Sequence, residues 1–246
     1  MLTIDLNCDM AEGFPNDALL MPWISSTNIA CGYHAGDEDS MKRTVELALQ
    51  YNVSIGAHPG FADKENFGRT EMQLPFKEIY ELVAEQIHLL QKVIKTSGAK
   101  LNHVKPHGAL YNMSARDAAL ANTIAKAVYD IDSDLLLFGL SGSHSISEAK
   151  KTGLKTVSEV FADRSYQDNG NLTPRAQANA LIETEEASIR QVLQMIGEKT
   201  VTSTNGKQVS ITAETICLHG DGVHAVGFAK KIYQTLQQNN IGIKSF

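Results

Sequence analysis

Seven short β-prone runs, most of them followed by a stretch of helical periodicity, constrain this chain more than any other feature. They are Leu2–Cys8, Ser26–Cys31, Val53–His58, the stretch around His103–His107, Leu135–Leu140, Thr156–Phe161 and Thr215–His219. A chain that alternates strand and helix builds a parallel sheet, because parallel neighbours need a crossover between them. Leu135–Leu140 is apolar throughout, as expected of a strand covered on both faces. Polar residues gather at nearly every strand end. A closed ring explains that better than the single crevice of an open doubly wound sheet, its competitor. The expected fold is therefore α/β, a distorted seven-stranded parallel (β/α) barrel. With 246 residues, 43% of them hydrophobic, one barrel domain over 1–246 uses the chain without a linker.

The helical stretches have readable ends. Pro75 opens a long helix that stops near Gly98, with Phe76, Ile79, Val83, Ile87, Leu90 and Ile94 on one face and His88 toward solvent. Ser114 and Asp117 read as a capping box for a helix to about Asp130. Thr173-Pro174 reads as a cap and first residue of another. Asn205-Gly206 between β-prone flanks marks a hairpin insertion at about 200–211, expected to be peripheral.

Chemistry-bearing residues concentrate at strand ends. His103, Lys105 and His107 alternate in an extended run and leave one face, and Pro106 and Gly108 end the strand there. Asp5, Asn7 and Asp9 share a face of the first strand, with Glu12 just beyond. Burying three polar groups on one face is unfavourable unless they are hydrogen-bonded or serve a site. His34, His58, His144 and His219 also fall at or after strand ends, and Glu159 and Asp163 continue an acidic face past the sixth. Such a set suits general acid and base work or a divalent ion, although no tight ligand pair of the HExxH kind is present. Asp5, Asn7, His58, Lys105, His107, Glu159 and His219 are expected to line one cavity at the carboxyl face of the strands.

Cys8, Cys31 and Cys217 have no CxxC spacing and read as small buried hydrophobes. A formal charge of −6 leaves no basic stripe for nucleic acid. No stretch approaches a membrane span, and no basic leader opens the chain, so a soluble cytoplasmic protein is expected. Gly197-Glu-Lys-Thr200 follows a helix and lacks the first glycine of a phosphate loop. Gly220-x-Gly222-x-x-Ala225 follows a strand and opens a helix, but Asp221 within it would repel phosphate.

The blocks Asp5-Leu-Asn-Cys-Asp-Met-Ala-Glu12, Asn28-Ile-Ala-Cys-Gly-Tyr-His-Ala-Gly-Asp37, Gly56-Ala-His-Pro-Gly60, His103-Val-Lys-Pro-His-Gly-Ala-Leu-Tyr-Asn112, Glu159-Val-Phe-Ala-Asp-Arg164 and Cys217-Leu-His-Gly-Asp221 resemble the LamB/YcsF lactam-utilisation family, in order along almost the whole chain. The resemblance implies a seven-stranded barrel like those of polysaccharide deacetylases and ATP-dependent opening of 5-oxo-L-proline to L-glutamate, with ATP accompanied by Mg as its counter-ion. It also implies B and C partner subunits of a 5-oxoprolinase. The deacetylases' Asp-His-His metal site is not implied, because their spaced histidine pair is missing here. For lactam opening, Lys105 and Arg164 would supply positive charge, and Asp9, Glu159 or His107 a base, with His219 beside them. Asn7, Asn28 and Tyr111 would orient substrate, and Glu12, His34, His58, Asp163 and Asp221 complete the binding set. Two other classes stay open: a metal-dependent deacetylase-like hydrolase, and a non-catalytic substrate-binding subunit.

Overall fold

The computed structural model describes residues 2–219 and 225–246. Its elements run β1 (Thr3–Met10), α1 (Asp17–Leu20), β2 (Ser26–Ala30), α2 (Glu38–Tyr51), β3 (Ser54–His58), α3 (Phe76–Ser97), β4 (Leu101–Val104), α4 (Gly108–Arg116), α5 (Ala118–Ile131), β5 (Leu136–Leu140), α6 (His144–Thr152), β6 (Lys155–Phe161), α7 (Glu185–Gly197), β7 (Thr200–Thr202), β8 (Gln208–Ser210), β9 (Thr215–Leu218), α8 (Ala225–Gln238) and β10 (Gly242–Ile243). Strands β1 to β6 follow one another in the sheet, β9 pairs with β6, and β9 also pairs with β1, so the ring closes. Every pairing in the ring is parallel. The protein is a closed seven-stranded parallel barrel, and β10 adds a short strand beside the start of β1.

Helices cover the outside with the apolar stripes their periodicity promised. Ile79, Val83, Ile87, Leu90 and Ile94 of α3 are buried, whereas Phe76, at the helix start, lies 53% exposed. Gln86 is buried on the same helix and clasps the backbone of Gly60 through Oε1 and Nε2. Among the described residues no helix is long and apolar enough to cross a membrane.

Two helix boundaries differ from the sequence reading. The chain turns helical at Gly108 and breaks at Asp117, whose carboxylate caps α5 by accepting from the amides of Ala119 and Leu120. Ser114 is no cap. It lies inside α4, bonded to the Tyr111 carbonyl and facing Ser145. Likewise Thr173-Pro174 opens turns rather than a helix, because this loop takes its backbone partners elsewhere. Arg164 donates to the carbonyls of Ala180 and Thr173, and isolated bridges join Arg164 to Leu181 and Tyr166 to Leu172.

Strands β7 and β8 pair antiparallel as the Asn-Gly signal requires, but the hairpin is not peripheral. Val201 is fully buried and Ile211 nearly so, and the Thr204 amide donates to the carbonyl of Tyr166. Ser203 also bonds Asp168, so the hairpin clamps the loop that walls the cavity described below. Val201→Ala is expected to lower stability by about 2 kcal/mol, the loss of two buried methyl groups plus the hole they leave. Urea unfolding reads it.

Candidate active site

The barrel interior is polar at its carboxyl end because alternate residues of β1, β2, β4 and β6 point inward together. Asn7 Nδ2 donates to Glu159 Oε1 (2.9 Å) and Thr215 Oγ1 (2.7 Å), and Asn28 Nδ2 donates to Asn7 Oδ1 (2.7 Å) and Asp9 Oδ1 (2.8 Å). With both its donors used, Asn28 accepts from His103 Nε2 at 2.8 Å. The His103 ring stacks on Phe138 and occupies the space a side chain at position 56 would need. Only glycine fits there.

Lys105 is the hub. Its ammonium lies 2.9 Å from Asp9 Oδ1, 2.8 Å from Glu159 Oε1 and 3.1 Å from Asn7 Oδ1. Burial opposes its charge, yet Asp9 and Glu159 together hold its pKa well above the ordinary lysine value. Asp9 meets the same burial penalty, but the charges of His58 and Lys105 hold its carboxyl well below the usual range. Cys217 Sγ completes the lysine's shell at 3.2 Å. Burial pushes the thiols of Cys8, Cys31 and Cys217 up, which suits the buried-hydrophobe reading rather than a nucleophile.

Above this network a cavity of about 380 Å³ opens, lined by Asp9, Glu12, His58, Lys105, His107, Tyr111, Phe161, Arg164 and His219, with Arg69, Arg116 and Arg175 also in its wall. That is the size of a small-molecule site. Asn7, Asn28 and Glu159 lie below its floor rather than in its wall, and Asp5 sits deeper still. There Asp5 accepts from Ser25, Ser26 and Thr215, and burial raises its pKa. The expectation that Asp5, Asn7 and Glu159 line the cavity is thereby corrected: a short inward side chain two residues down the strand ends below the floor. His144 starts α6 exposed and outside the cavity.

Among the described residues, two buried oxygens at this floor have no hydrogen-bond partner, Tyr111 Oη and Glu159 Oε2. Burial, reinforced by the Glu159 charge, drives the tyrosine's pKa well up, so it is a neutral donor. At the rim His219 Nδ1 donates to Asp163 at 2.7 Å, and Arg175 donates to His219 Nε2 at 3.2 Å. Arg164 is buried in the wall, its pKa lowered to about 10 by burial first and Arg175 second. Two of its nitrogens are committed to loop carbonyls. On the opposite side Glu12, His34, His58 and His107 cluster with ligand-type atoms within 4.8 Å of one another.

The structure thus gathers the described candidates, His144 apart, at one end of the barrel, and Asp221 lies outside the described residues, as do Gly220 and Gly222. Sequence reasoning missed Arg175, which it placed in a helix, and Gly60, Gly68 and Gln86, which shape the wall behind His34. The LamB/YcsF family's sequence pattern matches residues 4–246. The chain belongs to the LamB/YcsF family. Within this family it is 52% identical to the A subunit of 5-oxoprolinase from Bacillus cereus (strain AH187), over 99% of this chain and 98% of that one. A crystal structure of the lactam utilization protein from Thermus thermophilus superposes with a TM-score of 0.92, at 38% identity and complete coverage of both chains. A T48 deacetylase solved with substrate is similar in fold alone, with a TM-score of 0.51 at 12% identity, covering 98% of this chain and 87% of that one. The LamB/YcsF barrel and the deacetylase barrel are therefore variants of one architecture.

Proposed function

We propose that this chain is the A component of a cytoplasmic 5-oxoprolinase, acting with B and C subunits to open 5-oxo-L-proline to L-glutamate in a reaction coupled to ATP hydrolysis. The full-length identity to a protein of that name supports the reading. The observation that carries the site assignment is Lys105, held charged between two carboxylates at the floor of a cavity sized for a small molecule. A lactam is a poor electrophile. Transfer of a phosphoryl group from MgATP to its oxygen makes that oxygen a leaving group. Water then adds to the lactam carbon and the carbon–nitrogen bond breaks, the ring nitrogen taking a proton, which leaves an acyl phosphate; a second water hydrolyses that to the carboxylate and free phosphate.

Lys105 and Tyr111 hold the negative charge of the phosphoryl group on the lactam oxygen as it is transferred and as it leaves, which is where fixed donors contribute most. Asp9 is the ionised carboxylate of the cavity beside Lys105, and it takes the proton of the attacking water. Glu159 keeps Lys105 charged, while the rim arginines Arg69, Arg116 and Arg175 receive the substrate carboxylate or phosphate. Asn7 and Asn28 fix the orientation of Asp9 and Lys105 from below. Arg164 and Asp163 hold the wall.

Tyr111→Phe tests one of these roles cleanly. Among the described residues its hydroxyl meets no partner at hydrogen-bond geometry, and Glu159 is its strongest charged influence, so the variant should stay folded with a melting temperature near that of wild type while turnover falls roughly tenfold, the value of one hydrogen bond. The reading as a whole is tested by 5-oxoproline hydrolysis with the chain alone, with ATP, and with each partner added in turn. Hydrolysis that requires ATP and both partners supports it. ATP-independent hydrolysis of an acetylated sugar by the chain alone would replace it with a deacetylase.

A further inference from the structure

The four-residue cluster behind the cavity has a proton problem. His58 Nδ1 lies 2.7 Å from the carbonyl oxygen of Lys105, and His107 Nε2 lies 2.9 Å from that of Phe67. A carbonyl only accepts, so both of those ring nitrogens carry hydrogen. The other nitrogens, His58 Nε2 and His107 Nδ1, face each other at 2.9 Å, and His58 Nε2 also lies 3.3 Å from Asp9 Oδ2, so a proton or a metal ion held there is shared among several acceptor atoms. Glu12 Oε1 adds another electron-rich atom, 3.2 Å from His107 Nδ1 and 3.7 Å from His58 Nε2. His34 Nε2 adds one more, 3.4 Å from Glu12 Oε1, and neither nitrogen of this buried ring has a hydrogen bond. Converging lone pairs repel unless something positive sits among them.

The dimensions and surroundings fit a metal ion. Ligands at 2.0–2.1 Å in a tetrahedron lie about 3.4 Å apart, and the separations above bracket that value. Imidazole nitrogens that donate their second N–H to a backbone carbonyl are the usual supported form of metal-ligating histidine, and two of these rings already have it. Glycines leave room for the rings: a Cβ on Gly60 would lie 2.7 Å from His34 Nδ1, and one on Gly68 would lie 2.7 Å from His34 Cβ and 3.0 Å from His107 Cδ2. Their packing holds His34 parallel to His107 with centroids 3.8 Å apart. The three donors Glu12, His58 and His107 end or follow β1, β3 and β4, without the spaced pair of the deacetylases.

We propose that Glu12, His58 and His107 bind one divalent first-row transition ion, the stacked ring of His34 backing His107 and the fourth position left to water or substrate, zinc being the ion whose N/O tetrahedral preference they suit best. Binding is read without substrate, so it stands or falls apart from the lactam assignment. The full chain, free of any histidine tag, is stripped with chelator, dialysed against Zn²⁺, Mn²⁺ or Co²⁺ separately and desalted, and retained metal is measured by inductively coupled plasma mass spectrometry. The expected result is close to one zinc per chain and a melting temperature that rises on loading, since a ligand that binds only the folded state stabilises it. Glu12→Gln and His107→Asn should each weaken zinc binding more than about tenfold and abolish the melting response. If either variant fails to fold, cobalt-loaded wild type decides, its strong visible absorption reporting low-coordinate N/O ligation. A folded wild type that retains none of the three ions would overturn the proposal and leave a proton shared between His58 and His107. Equal retention and equal melting response in both variants would also overturn it, by placing the ion elsewhere.

Discussion

Lys105→Met is expected to destabilise the barrel by roughly 3–5 kcal/mol, because it leaves the carboxylates of Asp9 and Glu159 buried without their shared cation. Methionine keeps much of the lysine stem, so lost packing contributes little. The carboxylates dominate the effect, and a double variant exposes this. Glu159→Gln removes one charge and keeps the shape, so Lys105→Met/Glu159→Gln should recover a large part of the stability that Lys105→Met loses. Chemical denaturation of the four proteins in the cycle measures the coupling. Additive losses would mean that Lys105 and Glu159 do not balance each other.

The second large effect is expected at Gly56. A methyl group there would overlap the His103 ring at Nε2, and that ring cannot retreat because Phe138 stacks on its other face. It also cannot turn without breaking its bond to Asn28 Oδ1, which fixes the amide that supports Asp9. Gly56→Ala should therefore cost about 3 kcal/mol, the upper range for overpacking. It should also reduce turnover by loosening Asp9. Adding His103→Ala makes room for the methyl group, so the double variant should be more stable than Gly56→Ala alone. A Gly56→Ala protein that melts like the wild type would show that the β3–β4 contact is looser than this overlap implies.

How far the sequence carried can be followed along individual strands. The inward convergence of Asn7, Asp9, His103 and Lys105 was legible because period two in a strand decides the face, and strand identity was plain from the apolar runs. The closed ring and the gathering of histidines followed from strand ends alone. What strand period does not encode is depth: Asp5 shares the parity of Asp9 yet bonds Ser25, Ser26 and Thr215 beneath the site. Loop docking was equally illegible. Arg175 reaches His219 across 44 positions, and Gln86 grips Gly60 across 26, contacts set by how α3 and the 165–184 loop pack on the barrel. Glu12, His34, His58 and His107 were each legible as site residues, but their grouping into one cluster was not. Its four members come from four strands and have no local spacing, and only the ring of parallel strands brings their side chains together.

The central claim is that the cavity over Lys105 is where 5-oxo-L-proline is opened. The Lys105→Met/Glu159→Gln chain tests it most directly, because this variant keeps the floor's charge nearly balanced while removing the cation. Reassembled with its partner subunits and supplied with MgATP, the folded variant should turn over 5-oxo-L-proline on the order of 10² more slowly than wild type, as when one preorganised electrostatic donor is removed. Near-normal turnover by a variant that melts close to wild type would contradict the account and move the chemistry out of this cavity.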